Sequence, residues 1–235
     1  MISNKSVLAL IPARGGSKGI KNKNVFPVDG NPLIAFTIEA AQNSRYIDEI
    51  VVSTDSLYIK AIAKDCGASV PFTRPKELAA DTSPTLDTVL HAIQSLRDDD
   101  KTHDILVLLQ VTSPLRTSSD IDGALEKFVR CGCKPLVCLS PVTESPVLMR
   151  KLVSETHMEK VLPVNSSIRQ QDMPKLYRVN GSIYINLIKD INEHTSFNDN
   201  EIPYVIPRER ALDIGDYSDL WLMRYYLQED NKRSS

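Results

Sequence analysis

Apolar residues along this chain fall into two patterns, and the two alternate. Residues 7–11, 50–54, 105–109 and 136–139 are short and nearly continuous apolar runs. Runs of that length without polar alternation predict strands buried on both faces. Residues 68–72 and 203–207 predict two further short strands. Between these runs the apolar positions recur every three to four residues. Leu33, Ile34, Phe36, Ile38, Ala40 and Ala41 give one stripe, and Leu86, Val89, Leu90, Ile93 and Leu96 a second. Ile121, Ala124, Leu125 and Phe128 give a third. Each stripe predicts a helix with one face toward a core. Asn31-Pro32, Ser56, Ser83-Pro84 and Ser118 or Ser119 supply start signals, either a cap or an early proline. Strand and helix alternate through residue 140. That order predicts an α/β fold in three layers, a mostly parallel sheet with helices on both faces, Rossmann-like in organisation.

The pattern breaks over residues 141–175, which hold Pro141, Pro146, Pro163 and Pro174 and show little helical period. This stretch predicts an excursion from the sheet: an arm, a lid or a dimerisation element. Residues 177–188 return to strand character around Asn180-Gly181. Residues 213–219 open a closing helix carrying Leu220, Trp221, Met223 and Leu227, and residues 228–235 predict a frayed polar tail.

Composition narrows the classes of function. At 235 residues with 42% hydrophobic content, the expectation is one domain over residues 1–235, with residues 141–175 as its inserted arm. A net charge of −2 argues against a nucleic-acid partner or a polybasic membrane binder. No apolar run approaches the ~20 residues that span a bilayer. The first apolar run stops after five residues with no secretory cleavage pattern, which predicts a cytoplasmic protein. Cys66, Cys131, Cys133 and Cys138 are expected as reduced thiols there. Cys131-Gly132-Cys133 has no second ligand pair at zinc spacing, and the four histidines are scattered.

The stretch with the most chemistry is residues 11–24, Ile-Pro-Ala-Arg-Gly-Gly-Ser-Lys-Gly-Ile-Lys-Asn-Lys-Asn, directly after the first strand. Three glycines permit close backbone approach, and Arg14, Lys18, Lys21 and Lys23 surround them. Backbone N–H groups and fixed cations in this arrangement suit a chain of phosphates. A solvated basic turn is the bland alternative. Neither the Walker spacing nor the dinucleotide Gly-x-Gly-x-x-Gly occurs, since Gly15 and Gly16 are adjacent. Ligands of parallel sheets lie beyond the strands' carboxyl ends. Thr54-Asp55 and residues 110–116 would face the same crevice as the loop.

Residues 13–19 followed by Lys23-Asn24 resemble the signature loop of the acylneuraminate cytidylyltransferases, the CMP-sialic acid synthetases. Arg74-Pro75, Leu78-Ala79 and Asp81-Thr82 resemble that family's second motif, and residues 109–117 its third. Arg169-Gln170-Gln171, Arg178, Asn180-Gly181 and Ile183-Tyr184 resemble its sugar-side segment, so the likeness extends over most of the chain. The resemblance implies the nucleotide-diphospho-sugar transferase fold, a homodimer, and two partners, CTP and an acidic keto-acid sugar. It implies transfer of CMP from CTP to the sugar's anomeric hydroxyl with loss of pyrophosphate, feeding surface glycan sialylation. Legionaminic, pseudaminic and Kdo-type sugars are alternatives, and a lapsed nucleotide-binding module is a rival of another class.

The roles that follow are those the resemblance implies. Arg14 and Lys18 hold the β- and γ-phosphates, and Lys23 and Asn24 the α-phosphate and cytidine. Ala13, Gly15, Gly16, Ser17, Ala80, Asp81 and Thr85 complete the nucleotide side. Gln110, Ser113, Arg116, Arg169, Arg178, Tyr184 and Phe197 form the sugar side. A guanidinium fork suits a sugar carboxylate in a way that lysine does not. Asp213 is the ligand for Mg²⁺, with Mn²⁺ as a substitute and Asp216 as an alternative ligand. Gly215 stands where the family motif has its second aspartate, so Asp216 and Ser218 are equally readable as caps of the last helix. Asp213, Arg14 and Lys18 are the expected catalytic groups; no general base is evident, and metal-assisted deprotonation of the sugar hydroxyl is the expectation.

Overall fold

The computed structural model describes residues 1–17, 19–167, 169 and 173–234. Its centre is a six-stranded sheet in the order β10-β6-β9-β5-β1-β4. The strands are β1 (Val7–Pro12), β4 (Glu49–Ser53), β5 (Ile105–Leu108), β6 (Leu136–Pro141), β9 (Tyr177–Leu187) and β10 (Ile202–Val205). β1 pairs in parallel with β4 and with β5, and β10 pairs in parallel with β6. β9 runs antiparallel between β5 and β6. The predicted mostly parallel sheet is therefore present, with one reversed strand at its middle. Smaller ladders pair β2 (Pro27–Val28) with β3 (Asn31–Pro32), and β7 (Arg150–Ser154) with β8 (His157–Lys160).

Helices cover both faces. Alternate residues of β1 point in opposite directions, as a pleated strand requires. Val7, Ala9 and Ile11 join the core formed with α1 (Leu33–Gln42), α2 (Leu57–Asp65), α4 (Ser118–Arg130) and α5 (Tyr217–Ser234). Leu8 and Leu10 face the other way, onto Val89, Ala92, Ile93 and Leu96 of α3 (Thr85–Asp98). All five apolar residues of β1 are fully buried, which accounts for the lack of polar alternation in its sequence.

The local predictions hold with specific exceptions. Residues 68–72 form no strand: Ser69 makes one parallel bridge to Val51, and Pro71, with no N–H to donate, ends the pairing. α1 is capped by Pro32 without a side-chain bond, because Asn31 is taken into β3. The cap of α4 is Thr117, one residue before the expected serines. Its Oγ1 accepts from Asp120 N at 3.2 Å, and Asp120 Oδ2 accepts from Thr117 N at 3.0 Å, a reciprocal capping box. The tail expected to fray from residue 228 continues α5 to Ser234. Gln, Glu, Lys and Arg are good helix formers, and their polarity alone did not argue against a helix.

The excursion has a defined form. β9 enters the sheet antiparallel to β6, with Pro141 opposite Tyr177. Residues 142–176 therefore leave and return at the same end of the sheet, the carboxyl end of β6. The β7–β8 hairpin stands on that excursion and exposes Leu152, Val153 and Met158.

Candidate active site

The chain passes from β1 to β4 on one side, then crosses to β5 on the other. Ligand crevices of parallel sheets open where the strand order switches direction, here beyond the ends of β1 and β5. A cavity of about 320 Å³ lies there. Its floor is Pro12, Gln110, Val111 and Thr112, at the ends of these two strands. Arg14, Gly16, Ser17, Lys23 and Asn24 form one wall, and Arg74, Ala80, Asp81 and Thr85 the opposite one. Thr85 and Thr88 bring the first turn of α3, with its exposed N–H groups and positive dipole end, into the lining.

Backbone and side chains hold this half firmly. Gly15 N donates to Asp55 Oδ1 at 2.8 Å, fixing the glycine loop onto the residue that follows β4. Asn24 Nδ2 donates to the Arg14 carbonyl at 2.9 Å, bracing the same loop from the other side. The Arg14 guanidinium is paired with the Asp81 carboxylate. Both side chains are well exposed, and pairs of that kind are worth roughly 0.2–1 kcal/mol. Lys23 Nζ donates to the Ile214 carbonyl at 2.8 Å. Burial pulls the Lys23 pKa below its ordinary 10.5, Asp213 pulls it back up, and Arg14 lowers it further.

Arg74 also lines the cavity, although no role was expected for its side chain. It is 4% exposed, and it donates to the Ser53 carbonyl and to Ser53 Oγ at the end of β4. Burial lowers its pKa to about 10, so it remains a cation at neutral pH. Thr88 and Ser83 also line the cavity without having been expected. The signals for Arg74 in the sequence were its place in the stretch resembling the family's second motif and a charge in a polar loop beside a strand end.

A second cavity of about 360 Å³ adjoins the first, and Gln110 belongs to both. Arg178, Val179, Asn180 and Gly181 come from the beginning of β9, and Tyr184 from its middle. Tyr184 is 5% exposed and its hydroxyl donates to Asn198 Oδ1 at 2.9 Å. Burial, then the nearby Asp213 charge, pushes its pKa up to about 12. Asp213 and Asn198 complete the lining. Ile214 N donates to the Thr112 carbonyl at 2.7 Å, and Lys23 holds the Ile214 carbonyl from the other direction. Asp213 is thereby set at the junction of the two cavities. Among the described residues its exposed carboxylate accepts no hydrogen bond.

The expected site residues separate into those that line a cavity and those that do not; Gly15 is among the latter, tied to Asp55. Arg14, Gly16, Ser17, Lys23, Asn24, Ala80, Asp81, Thr85, Gln110, Arg178, Tyr184 and Asp213 line one cavity or the other. Ala13, Ser113, Arg116 and Phe197 lie behind the walls: Ala13 and Ser113 are fully buried, and Phe197 packs against Tyr184 with ring centroids 6.0 Å apart. Arg169 is exposed on the excursion and lines neither cavity. Lys18, expected among the catalytic and phosphate groups, lies outside the described residues, as do Gln170 and Gln171.

Asp216 proves to be a helix cap. Its Oδ1 accepts from Ser218 N at 2.8 Å and from Asp219 N at 3.3 Å, and Asp219 Oδ2 accepts from Asp216 N at 3.0 Å. Bonds from the Ser218 side chain and then from the Asp219 and Ser218 backbone hold its pKa below the usual carboxylate value. Gly19 is packed where a side chain would intrude: a Cβ there would stand 2.7 Å from the Gly215 carbonyl oxygen. The glycine loop and the Asp213 segment thus approach each other closely because Gly19 has no side chain. No cluster of three His, Cys, Asp or Glu side chains able to cage a metal occurs among the described residues.

The sequence model of the family described as Cytidylyltransferase matches residues 8–205, which takes in β1 through β10. The chain belongs to the cytidylyltransferase family. A Legionella pneumophila relative, CMP-N,N'-diacetyllegionaminic acid synthase, is 42% identical over 192 residues, covering 81% of this chain and 82% of that protein. A Campylobacter jejuni pseudaminic acid cytidylyltransferase is 34% identical over 215 residues, covering 91% and 92%. An N-acylneuraminate cytidylyltransferase of Streptococcus agalactiae is 34% identical over 215 residues, covering 90% of this cytidylyltransferase and 51% of its own length. In fold, the chain is similar to a CMP:2-keto-3-deoxy-manno-octonic acid synthetase solved with CTP, with a TM-score of 0.72 at 14% identity and coverage of 96% and 99%. The resemblance seen in the signature loop therefore holds for the chain as a whole.

Proposed function

We propose that this cytidylyltransferase joins CMP from CTP to the anomeric hydroxyl of a nonulosonic acid and releases pyrophosphate. The observation that carries the proposal is the pair of adjoining cavities that share Gln110. One is lined by cations on a glycine loop, the other by Arg178, Tyr184 and Asp213. CTP occupies the first cavity, with Arg14 and Lys23 on its phosphates; the acid occupies the second, with Arg178 toward its carboxylate. The hydroxyl then meets the α-phosphorus at the junction, and placement of the two reactants supplies much of the rate enhancement. Three relatives named for legionaminic, pseudaminic and N-acylneuraminic acid support a nine-carbon acid. The 42% identity of the legionaminic relative puts N,N'-diacetyllegionaminic acid first among them.

Mg²⁺ fits this site. It takes one or two carboxylates and completes its octahedron with phosphate oxygens and waters. Asp213 offers a carboxylate at the junction, whereas that of Asp216 is committed to capping α5. The ion supplies charge neutralisation where the pyrophosphate leaves. Arg14 and Lys23 contribute positive charge from the glycine-loop wall. The exposed apolar side chains Leu152, Val153 and Met158 on the β7–β8 hairpin support a homodimer formed through that hairpin. A monomer in sedimentation at micromolar concentration would remove that part of the proposal.

The test is pyrophosphate release from CTP with Mg²⁺ against a panel of legionaminic, pseudaminic, N-acetylneuraminic and Kdo acids, with UTP and ATP as controls. Release with CTP and one nine-carbon acid is expected. Release with Kdo alone, or equal release from UTP, contradicts the proposal.

A further inference from the structure

Arg116 is a cation with no access to either cavity. It is 2% exposed, and one guanidinium nitrogen, Nη2, donates to the backbone carbonyl of Gln110. Its Nε and Nη1 are buried and have no hydrogen-bond partner among the described residues. The nearest carboxylate, Asp120, is engaged elsewhere: it closes the α4 capping box and pairs with Arg210 at 2.9 Å. Burial lowers the Arg116 pKa to about 9, and Cys138 and Asp120 offset part of that. The group therefore stays charged at neutral pH. A buried, incompletely paired charge is an expensive way to fill space, because an apolar side chain of similar volume does so without desolvating an ion. Its one hydrogen bond goes to the residue shared by the two cavities.

Gln110 is held on its other side as well. Ser113 N also donates to its carbonyl, at 3.3 Å. Ser113 Oγ donates to the Asn180 carbonyl at 3.3 Å, tying the segment after β5 to the start of β9. The Gln110 side chain lies directly over Gly181: a Cβ there would stand 2.5 Å from Gln110 Oε1 and 3.1 Å from its Cδ. Gly181 has φ +73°, a conformation that L side chains rarely adopt. Arg116 thus fixes the Gln110 backbone from behind, and the bare backbone of Gly181 leaves a slot for its carboxamide.

We infer that Arg116 is a positioning residue which, through Gln110, sets the acceptor sugar against the α-phosphorus. The inference rests on the assignment of the shared wall to the sugar. Neutralising Arg116 leaves the nucleotide loop untouched and lets the Gln110 carbonyl shift. KM for the sugar and the common kcat then change while KM for CTP does not. A merely structural arginine changes both KM values together.

The experiment compares wild type with Arg116→Met, Arg116→Lys, Gln110→Ala and the Arg116→Met/Gln110→Ala double variant, with CTP, Mg²⁺ and the sugar that turns over. Arg116→Met is expected to lower kcat/KM for the sugar at least tenfold while KM for CTP stays within about twofold. Arg116→Lys, which keeps a cation near the same carbonyl, recovers most of that loss. The double variant is within about twofold of Gln110→Ala alone, since effects that pass through one residue do not add. If Arg116→Met fails to fold, Arg116→Lys carries the test through the same split between sugar and CTP. A second readout needs no turnover: the Gln110 side-chain amide resonances in ¹⁵N-labelled protein shift or broaden in Arg116→Met. Wild type inactive on every sugar would overturn the proposed function, while the amide resonances still report on Arg116. An unchanged Gln110 amide, equal rises in KM for CTP and sugar, or a fully additive double variant overturns the inference.

Discussion

The two cavities are built by different means. The first cavity, proposed for the nucleotide, stands on the ends of parallel strands, and its polar groups are tied down: Gly15 to Asp55, Asn24 to Arg14, Lys23 to Ile214, Arg74 to Ser53. The second cavity, proposed for the sugar, stands on the reversed strand β9 and on the segment around Asp213. Arg178 and Asp213 are both exposed there. One half is set before any ligand arrives, and the other presents charges that a ligand must organise. Preorganised donors aimed at developing charge have large effects on rate. Groups ordered by the substrate itself lose part of that benefit to ordering entropy. The nucleotide half should therefore govern turnover, and the sugar half selectivity.

The sharpest way to break this contrast is Arg14→Ala. Removing one preorganised electrostatic group costs about 10²–10³ in turnover, so kcat measured by pyrophosphate release should fall by that much. A loss below tenfold would mean that the glycine loop is a scaffold only. Asp213→Asn comes next, with about a 10²-fold loss of turnover expected and a steeper dependence on Mg²⁺ concentration. Asp216→Asn serves as its control.

Lys23 joins the halves, since it lines the nucleotide side and holds the segment of Asp213. A charge-assisted bond of about 1.5–3 kcal/mol predicts that Lys23→Met weakens CTP binding by roughly tenfold to a hundredfold in calorimetry. Its pH dependence has a definite sign. Burial lowers its pKa below 10.5, so the charge is lost at a lower pH than for an ordinary lysine. CTP affinity should decline as pH rises through that depressed value, and Lys23→Met should lack this limb. A decline of identical shape in the variant would assign the titration elsewhere. The smallest effect belongs to Asp216→Ala. Loss of an N-cap costs about 1 kcal/mol, seen as a lower Tm with turnover within about twofold of wild type. A large loss of turnover would return Asp216 to the metal.

Much of the first cavity was legible because its parts are local. β1 reads as a five-residue apolar run because both of its faces are buried, and the glycine loop follows it without a gap. The helices announce themselves through period and caps. The second cavity was harder to read because its neighbours are set by pairing across the sheet. Nothing in residues 177–187 states that this strand lies antiparallel between β5 and β6, or that Asn198 will meet the Tyr184 hydroxyl. Depth was the other gap. An arginine in a polar loop is expected at the surface, yet Arg116 and Arg74 are 2% and 4% exposed. Conversely, the family's metal motif pointed to Asp213, and hydrogen-bond geometry was needed to release Asp216 to the helix.

Sugar attack at the α-phosphorus where the cavities meet is tested most directly by following an oxygen atom. The nonulosonic acid is labelled with ¹⁸O at its anomeric hydroxyl and turned over with CTP, and the products are weighed by mass spectrometry. Attack by the sugar hydroxyl keeps the label in the CMP-sugar, in the oxygen bridging carbon and phosphorus, with unlabelled pyrophosphate. Loss of the label from the CMP-sugar, or its appearance in pyrophosphate, would contradict it.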